Sequence, residues 1–159
     1  MFEPGNIVYH DKLVFNDRKV DNKKKRPCVV LFSKTIDDKE YICTCPLTSK
    51  IKTFNRFPKK YCLIKEVVHN YRKLSFASIS NISLKEEKNT HYTNENVDKT
   101  TVDSIRNKLK EYNGKNKEYL IIKEYLEEVE QEEKRIANEE KIKRKALRKA
   151  LRKASKSNC

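Results

Sequence analysis

The sequence predicts a mainly β domain, an antiparallel barrel or sandwich, followed by one helix and a long charged helical extension. Three observations carry this. Short runs rich in β-branched and aromatic residues recur from Asn6 to Leu84, with polar connectors and no helix-length pattern between them. One capped amphipathic stretch follows at Thr100–Tyr112. From Asn116 to Ser155 the chain then runs without glycine or proline and is dominated by charged side chains.

Asn6–Phe15 (NIVYHDKLVF) holds two apolar clusters split by a His-Asp-Lys step. Pro27–Phe32 (PCVVLF) is continuously apolar, which predicts a strand buried on both faces. Glu40–Cys45 (EYICTC) alternates and suits a strand, ended by Pro46. Tyr61–Ile64 and Ser75–Leu84 complete the β set. In the helix, Thr100 and Asp103 have capping-box spacing and Val102, Ile105, Leu109 and Tyr112 form one stripe, with Asn113-Gly114 as the expected αL stop. The domain boundary is set there, giving 1–113 as the β domain and 114–159 as a helical, strongly basic extension. Along that extension Tyr119, Ile122, Leu126, Val129, Ile136, Leu147, Ala150 and Ala154 share a seam that Glu133, Glu140 and Lys143 interrupt. Glutamates crowd its first half, and every charge from Lys141 onward is positive. The plain reading is a solvated helix, the functional one an RNA-binding or partner-binding tail.

The net charge of +14 calls for a polyanionic partner, nucleic acid before an anionic membrane surface. Gly5 and Gly114 are the only glycines, so no GxGxxG, P-loop or glycine-rich flap exists. The five cysteines lack framework or zinc-knuckle spacing and read as free thiols in a reducing cytoplasm. No secretory leader or membrane-spanning run is expected.

Two stretches carry candidate chemistry. In Lys23-Lys24-Lys25-Arg26-Pro27, the proline biases Arg26 to an extended conformation at a strand start, a defined mount for a guanidinium fork suited to phosphate. In Pro46-Leu47-Thr48-Ser49-Lys50, two hydroxyls and a cation follow a strand exit, groups that bind phosphate oxygens. Phe54 and Phe57, interleaved with Lys52, Arg56, Lys59 and Lys60, offer a base-stacking platform or a loop anchor.

Together these stretches resemble the MazF/PemK (Kid, CcdB-like) toxin endoribonuclease family. Gly5-Asn6-Ile7-Val8 is similar to that family's opening strand, Arg26-Pro27-Cys28-Val29-Val30 to its Arg-Pro-x-Val-Val, and Pro46-Leu47-Thr48-Ser49 to its Pro-Leu-Thr-Ser. Leu74-Ser75-Phe76 through Asn81-Ile82-Ser83 is similar to its later Ser-rich strand pair, and the resemblance covers about residues 4–113. It implies an SH3-like antiparallel barrel closed by a C-terminal helix. It also implies a cytoplasmic homodimer, cofactor-free cleavage of single-stranded RNA through a 2′,3′-cyclic phosphate, and an acidic antitoxin as partner. Catalysis would fall to Arg26 and Thr48, and RNA binding to Lys23, Lys24, Lys25, Ser49 and Lys50. The chain departs from the pattern at Asn6, where an acidic residue is usual, and at Ser78 and Ser80, where some relatives carry Arg and Asp. These departures leave no evident general base. His10 has a suitable pKa, although its plain reading is a hydrogen-bonded histidine. The alternative is a catalytically inactive module that keeps the groove and binds RNA or a protein partner.

Overall fold

The computed structural model describes residues 1–10, 26–49, 51–66, 75–114 and 116–157. The expected strand residues beyond His10 and the basic loop Arg18–Lys25 lie outside the described residues. Seven strands are present: β1 (Asn6–His10), β2 (Pro27–Ile36), β3 (Lys39–Thr48), β4 (Tyr61–Ile64), β5 (Ser75–Ser78), β6 (Ser83–Glu86) and β7 (Thr90–Asn96). The helices are α1 (Ile51–Arg56), α2 (Lys99–Glu111) and α3 (Lys117–Ser157).

All pairings are antiparallel, in the order β4-β5-β3-β2-β1-β7, with β6 also pairing β3. The expected closed barrel is corrected here: β6 and β7 are consecutive in the chain, yet no ladder joins them among the described residues. The ring β7-β1-β2-β3-β6 therefore stays open on that side. The reason is local. β7 takes a left-handed residue at Asn94 (φ 63°) and shifts register against β1, so it follows β1 and not β6. Side chains span the gap instead: His10 lies 3.0 Å from Thr44 Oγ1 of β3 through Nε2 and 3.1 Å from Thr90 Oγ1 of β7 through Nδ1.

β2 and β3 form the spine. A tight turn with Asp37 and Asp38 both at positive φ links them. The apolar run from Pro27 to Phe32 is buried throughout, as its composition predicts. Between Val30 and Phe32 the register shifts by one, leaving Leu31 as a bulged residue. A bulged backbone group is lost to the ladder. Its carbonyl is taken by buried Arg106 of α2, which donates from Nε (3.1 Å) and Nη2 (2.6 Å).

β3 runs on to Thr48, so Pro46 does not end it. Proline is tolerated there because β3 changes partner at that point: Thr44 pairs Ser83 of β6, and Leu47 pairs Ala77 of β5. The missing N–H falls between the two partners. For the same reason Ser75–Leu84 is not one strand. The chain crosses from one partner position to the next through a 3₁₀ turn at Ile79–Asn81.

Gly5 ties the lead-in of β1 to the rest. It has φ +94°, donates to Val30 O and accepts from Val97 N, both at 2.8 Å, and a Cβ there would lie 2.6 Å from Val97 O. α2 is capped by Asp98, which accepts from Thr101 N at 2.9 Å, and not by Thr100. The side chain of Glu66 holds Thr101 Oγ1 at 2.8 Å. Val102, Ile105 and Leu109 are buried as the stripe requires. The helix ends at Tyr112 in extended backbone, with no left-handed residue at Gly114; a Cβ on Gly114 would instead meet the Tyr112 ring at 2.6 Å.

The first compact unit comprises Met1–Glu124 and takes in the start of α3, where Tyr119 is buried and donates to Ile79 O at 2.7 Å. The second, Tyr125–Cys159, contains the rest of that helix as far as Ser157, with every residue from Gln131 to Ser157 exposed. No helix among the described residues is long and apolar enough to cross a membrane.

Candidate functional site: a row across three strands

Strand register decides which side chains meet. β1 pairs β2 with Val8 opposite Cys28 and Tyr9 opposite Pro27, so the next step brings His10 opposite Arg26. β2 pairs β3 with Cys28 opposite Pro46. The ladder's last pair is Cys28–Pro46; two further steps in the same register would bring Arg26 opposite Thr48. Directly opposed residues in antiparallel strands project to the same face with Cα atoms roughly 4.5–5.5 Å apart. Continued past its last pairs, that register would put Arg26 and Thr48 in one row with His10, whose own ring contacts are Thr44 and Thr90. Val8 and Cys28 occupy the next row and pack with Val30 and Phe2 in a small apolar cluster beneath.

Burial pushes the Cys28 thiol up to about 12, and the positive charges of Lys85 and Arg26 pull against that rise. Lys85 lies on β6 opposite Ile42 of β3. Sequence reading missed Lys85. On a short strand of polar residues (SLKE) it had no motif around it, and only the pairing of β6 with β3 brings it near.

His10 is 6% exposed and both of its ring nitrogens face threonine hydroxyls. That geometry makes it a strut between β3 and β7. Thr48 is half-buried and lies opposite Phe76 of β5 on its other side, and Ser49 is exposed just beyond it. Lys23, Lys24, Lys25 and Lys50 lie outside the described residues. Ser78 is buried and accepts from Asn81 Nδ2 at 2.8 Å. Around this turn the buried atoms Ser80 Oγ, Asn81 Oδ1 and Ser83 Oγ have no hydrogen-bond partner. Such atoms are uncommon in folded proteins.

The aromatic pair divides. Phe54 stacks on Phe76, with centroids 4.6 Å apart, and serves as an anchor for α1. Phe57 is 37% exposed, with Arg56 Cζ at 5.2 Å and Lys60 Nζ at 5.0 Å from its ring centroid. Next to it, Lys59, Lys60, Lys108, Glu111, Tyr112 and Asn113 line a cleft of about 490 Å³.

Cys28, Cys43, Cys45 and Cys62 are free and buried, and burial raises the pKa of each thiol. Among the described residues no group of three or more His, Cys, Asp or Glu could hold a metal ion.

Residues 3–112 match the family described as PemK-like, MazF-like toxin of type II toxin-antitoxin system, and the chain belongs to that family. No curated protein matches the chain.

Proposed function

We propose that this protein is the toxin of a type II toxin–antitoxin pair and acts as a metal-independent endoribonuclease on single-stranded RNA. The observation that carries the reading is the family match over residues 3–112, and the β2–β3 register, continued two residues past Cys28 opposite Pro46, supports it by bringing Arg26 towards Thr48. In the proposed reaction the ribose 2′-oxygen bonds to the adjacent phosphorus and gives up its proton. The bond from phosphorus to the 5′-oxygen breaks, and that oxygen leaves protonated. The products are a 2′,3′-cyclic phosphate and a 5′-hydroxyl.

Arg26 meets the charge that grows on the non-bridging oxygens, because a guanidinium stays cationic at neutral pH and is a poor proton donor. Thr48 donates to one of those oxygens or orients the 2′-hydroxyl. Lys23, Lys24, Lys25, Ser49 and Lys50 bind the flanking strand. The protein acts in the cytoplasm as a homodimer, and an acidic antitoxin neutralises it. A second reading, a silent module that binds RNA or a protein, draws support from Ser78, whose buried hydroxyl is engaged by Asn81.

The test is incubation of the purified protein with single-stranded RNA in EDTA, with the ends of the fragments mapped. The toxin reading expects 5′-hydroxyl ends and a loss of roughly 100- to 1,000-fold in Arg26→Ala and Thr48→Ala. Retained RNA with no cleavage at any protein concentration selects the silent module.

A further inference from the structure

The C-terminal part of α3 lies outside the residues that match the family, and none of its residues from Gln131 to Ser157 is covered. It is one uninterrupted helix whose apolar seam follows heptad spacing, with Glu133, Glu140 and Lys143 among its positions. The a positions are Glu133, Glu140, Leu147 and Ala154, and the d positions are Val129, Ile136, Lys143 and Ala150. Ile136 is 44% and Leu147 60% exposed, an apolar seam with nothing over it in the single chain.

Glu140 and Lys143 spoil this seam for a parallel pair, because each would stack on its own copy. They have the opposite effect in one antiparallel register. Antiparallel coils pair a with d of the other strand, and setting Ile136 against Leu147 of a second copy fixes every other layer. Glu140 then meets Lys143 of the second copy, Glu133 meets Ala150, and Val129 meets Ala154. Each layer occurs twice by symmetry. Two of the three charged positions that break the seam, Glu140 and Lys143, become its central complementary pair, flanked on both sides by Ile136–Leu147 layers, while Glu133 lies further out against the small Ala150.

Charge along the whole helix agrees. Glu127–Glu140 holds seven acids and two bases, while Lys141–Lys156 holds nine cations and no acid. An antiparallel pair lays each acidic half on the other chain's basic half, and Glu132 faces Lys153 at the flank. A parallel pair would stack like on like. Polar seam residues and flanking charges are the usual devices by which coiled coils set register and orientation. The layers from Val129 to Ala154 span roughly 38 Å at a rise of 1.5 Å per residue.

We infer that residues 129–157 form an antiparallel coiled coil with a second copy of this chain, centred on reciprocal Glu140–Lys143 pairs. The inference is independent of the ribonuclease reading. A membrane surface fits the helix less well, since Glu133, Glu140 and Lys143 interrupt its apolar face, which contains no aromatic residue.

The experiment places p-benzoylphenylalanine at position 136 of the full-length protein, mixes ¹⁵N-labelled with unlabelled chains, irradiates at low salt and maps the adduct. Expected is a crosslinked dimer joined to the peptide around Leu147 of the other isotopic form. Adducts to the sheet domain, to added RNA in place of a second chain, or no dimer at all overturn the proposal.

Charge swaps then test the register. Glu140→Lys and Lys143→Glu should each lower the dimer yield at least 10-fold. Mixing the two variants, or combining both swaps in one chain, should restore it to within threefold of the wild type. Restoration in the mixture cannot come from repair within one helix, because each variant chain still carries like charges at both positions. Singles that crosslink as well as the wild type, or a mixture no better than the singles, refute the register. RNA cleavage by the variants reports separately on the catalytic reading.

Discussion

Arg106 provides the sharpest test of how the fold sets its site. It is buried, and its guanidinium satisfies the carbonyl of Leu31, the residue bulged out of the β2–β3 register, through two hydrogen bonds of 3.1 and 2.6 Å. Arg106→Met keeps most of the aliphatic volume and removes the donors. The variant loses charge-assisted bonds and strands a buried carbonyl, each effect worth about 1–3 kcal/mol. Relief of the desolvation cost of the buried charge offsets part of the loss, so a net destabilisation of about 2–4 kcal/mol is expected. Urea unfolding monitored by circular dichroism measures it. Because the bulge sets the register that leads towards Arg26, and on the proposed function Arg26 acts with Thr48, RNA cleavage should also fall at temperatures where the variant is fully folded. Arg106→Lys, which restores one donor and the charge, should recover part of both. A stability loss below about 0.5 kcal/mol, or full cleavage activity in a folded Arg106→Met, would refute the claim that this contact holds the bulge.

Three further outcomes follow from the same structure. The folded state holds the protons of Cys28, Cys43 and Cys45 above a thiol's ordinary 9.0, Cys28 up to about 12, while the unfolded chain releases them. Stability therefore falls as pH rises past 9, by about 0.8 kcal/mol per thiol between about pH 7.5 and 9.5. Cys28→Ala should flatten that fall by this amount, and identical pH slopes in urea melts would contradict it. Gly5→Ala forces a Cβ to 2.6 Å from Val97 O at φ +94° and should cost at least about 2 kcal/mol by the same melts. Phe57→Ala should leave stability within about 0.5 kcal/mol and weaken binding of single-stranded RNA roughly 5- to 100-fold in a filter assay, as loss of one stacked base would.

Much of the β domain was legible because its signals are local. The apolar run of β2 and the Tyr61–Ile64 strand stand where composition put them, and the stripe of α2 is buried as its spacing requires. Three features were hidden for one reason: they depend on which strand pairs with which. β7 (THYTNEN) has no apolar face and is a strand only through its ladder to β1. Pro46 reads as a stop until β3 is seen to change partner beside it. Ser75–Leu84 reads as one strand until its two ends are seen to address different parts of β3. Asp98 outcompeted Thr100 as the cap of α2 because a carboxylate there also meets Lys65, 2.8 Å away, and that pairing holds its pKa down at about 2.

The candidate site was legible as residues and illegible as geometry, and a single residue explains the difference. From the Asp37–Asp38 turn the ladder begins with Ile36 opposite Lys39 and keeps that register as far as Phe32 opposite Cys43. Continued unbroken, it would set Arg26 opposite Ser49. The bulge at Leu31 takes one residue out of β2, after which Val30 faces Thr44 and Cys28 faces Pro46, a register that would set Arg26 opposite Thr48 if continued. A one-residue slip also exchanges the faces of a strand, so without the bulge Cys28 and Val30 would leave the apolar cluster under the row. Burial of that cluster and alignment of the row are thus the same constraint, and the donors that stabilise it come from Arg106, far along the chain. The proposed pairing of guanidinium and hydroxyl rests on a core residue and a helix that carry no phosphate-binding motif of their own.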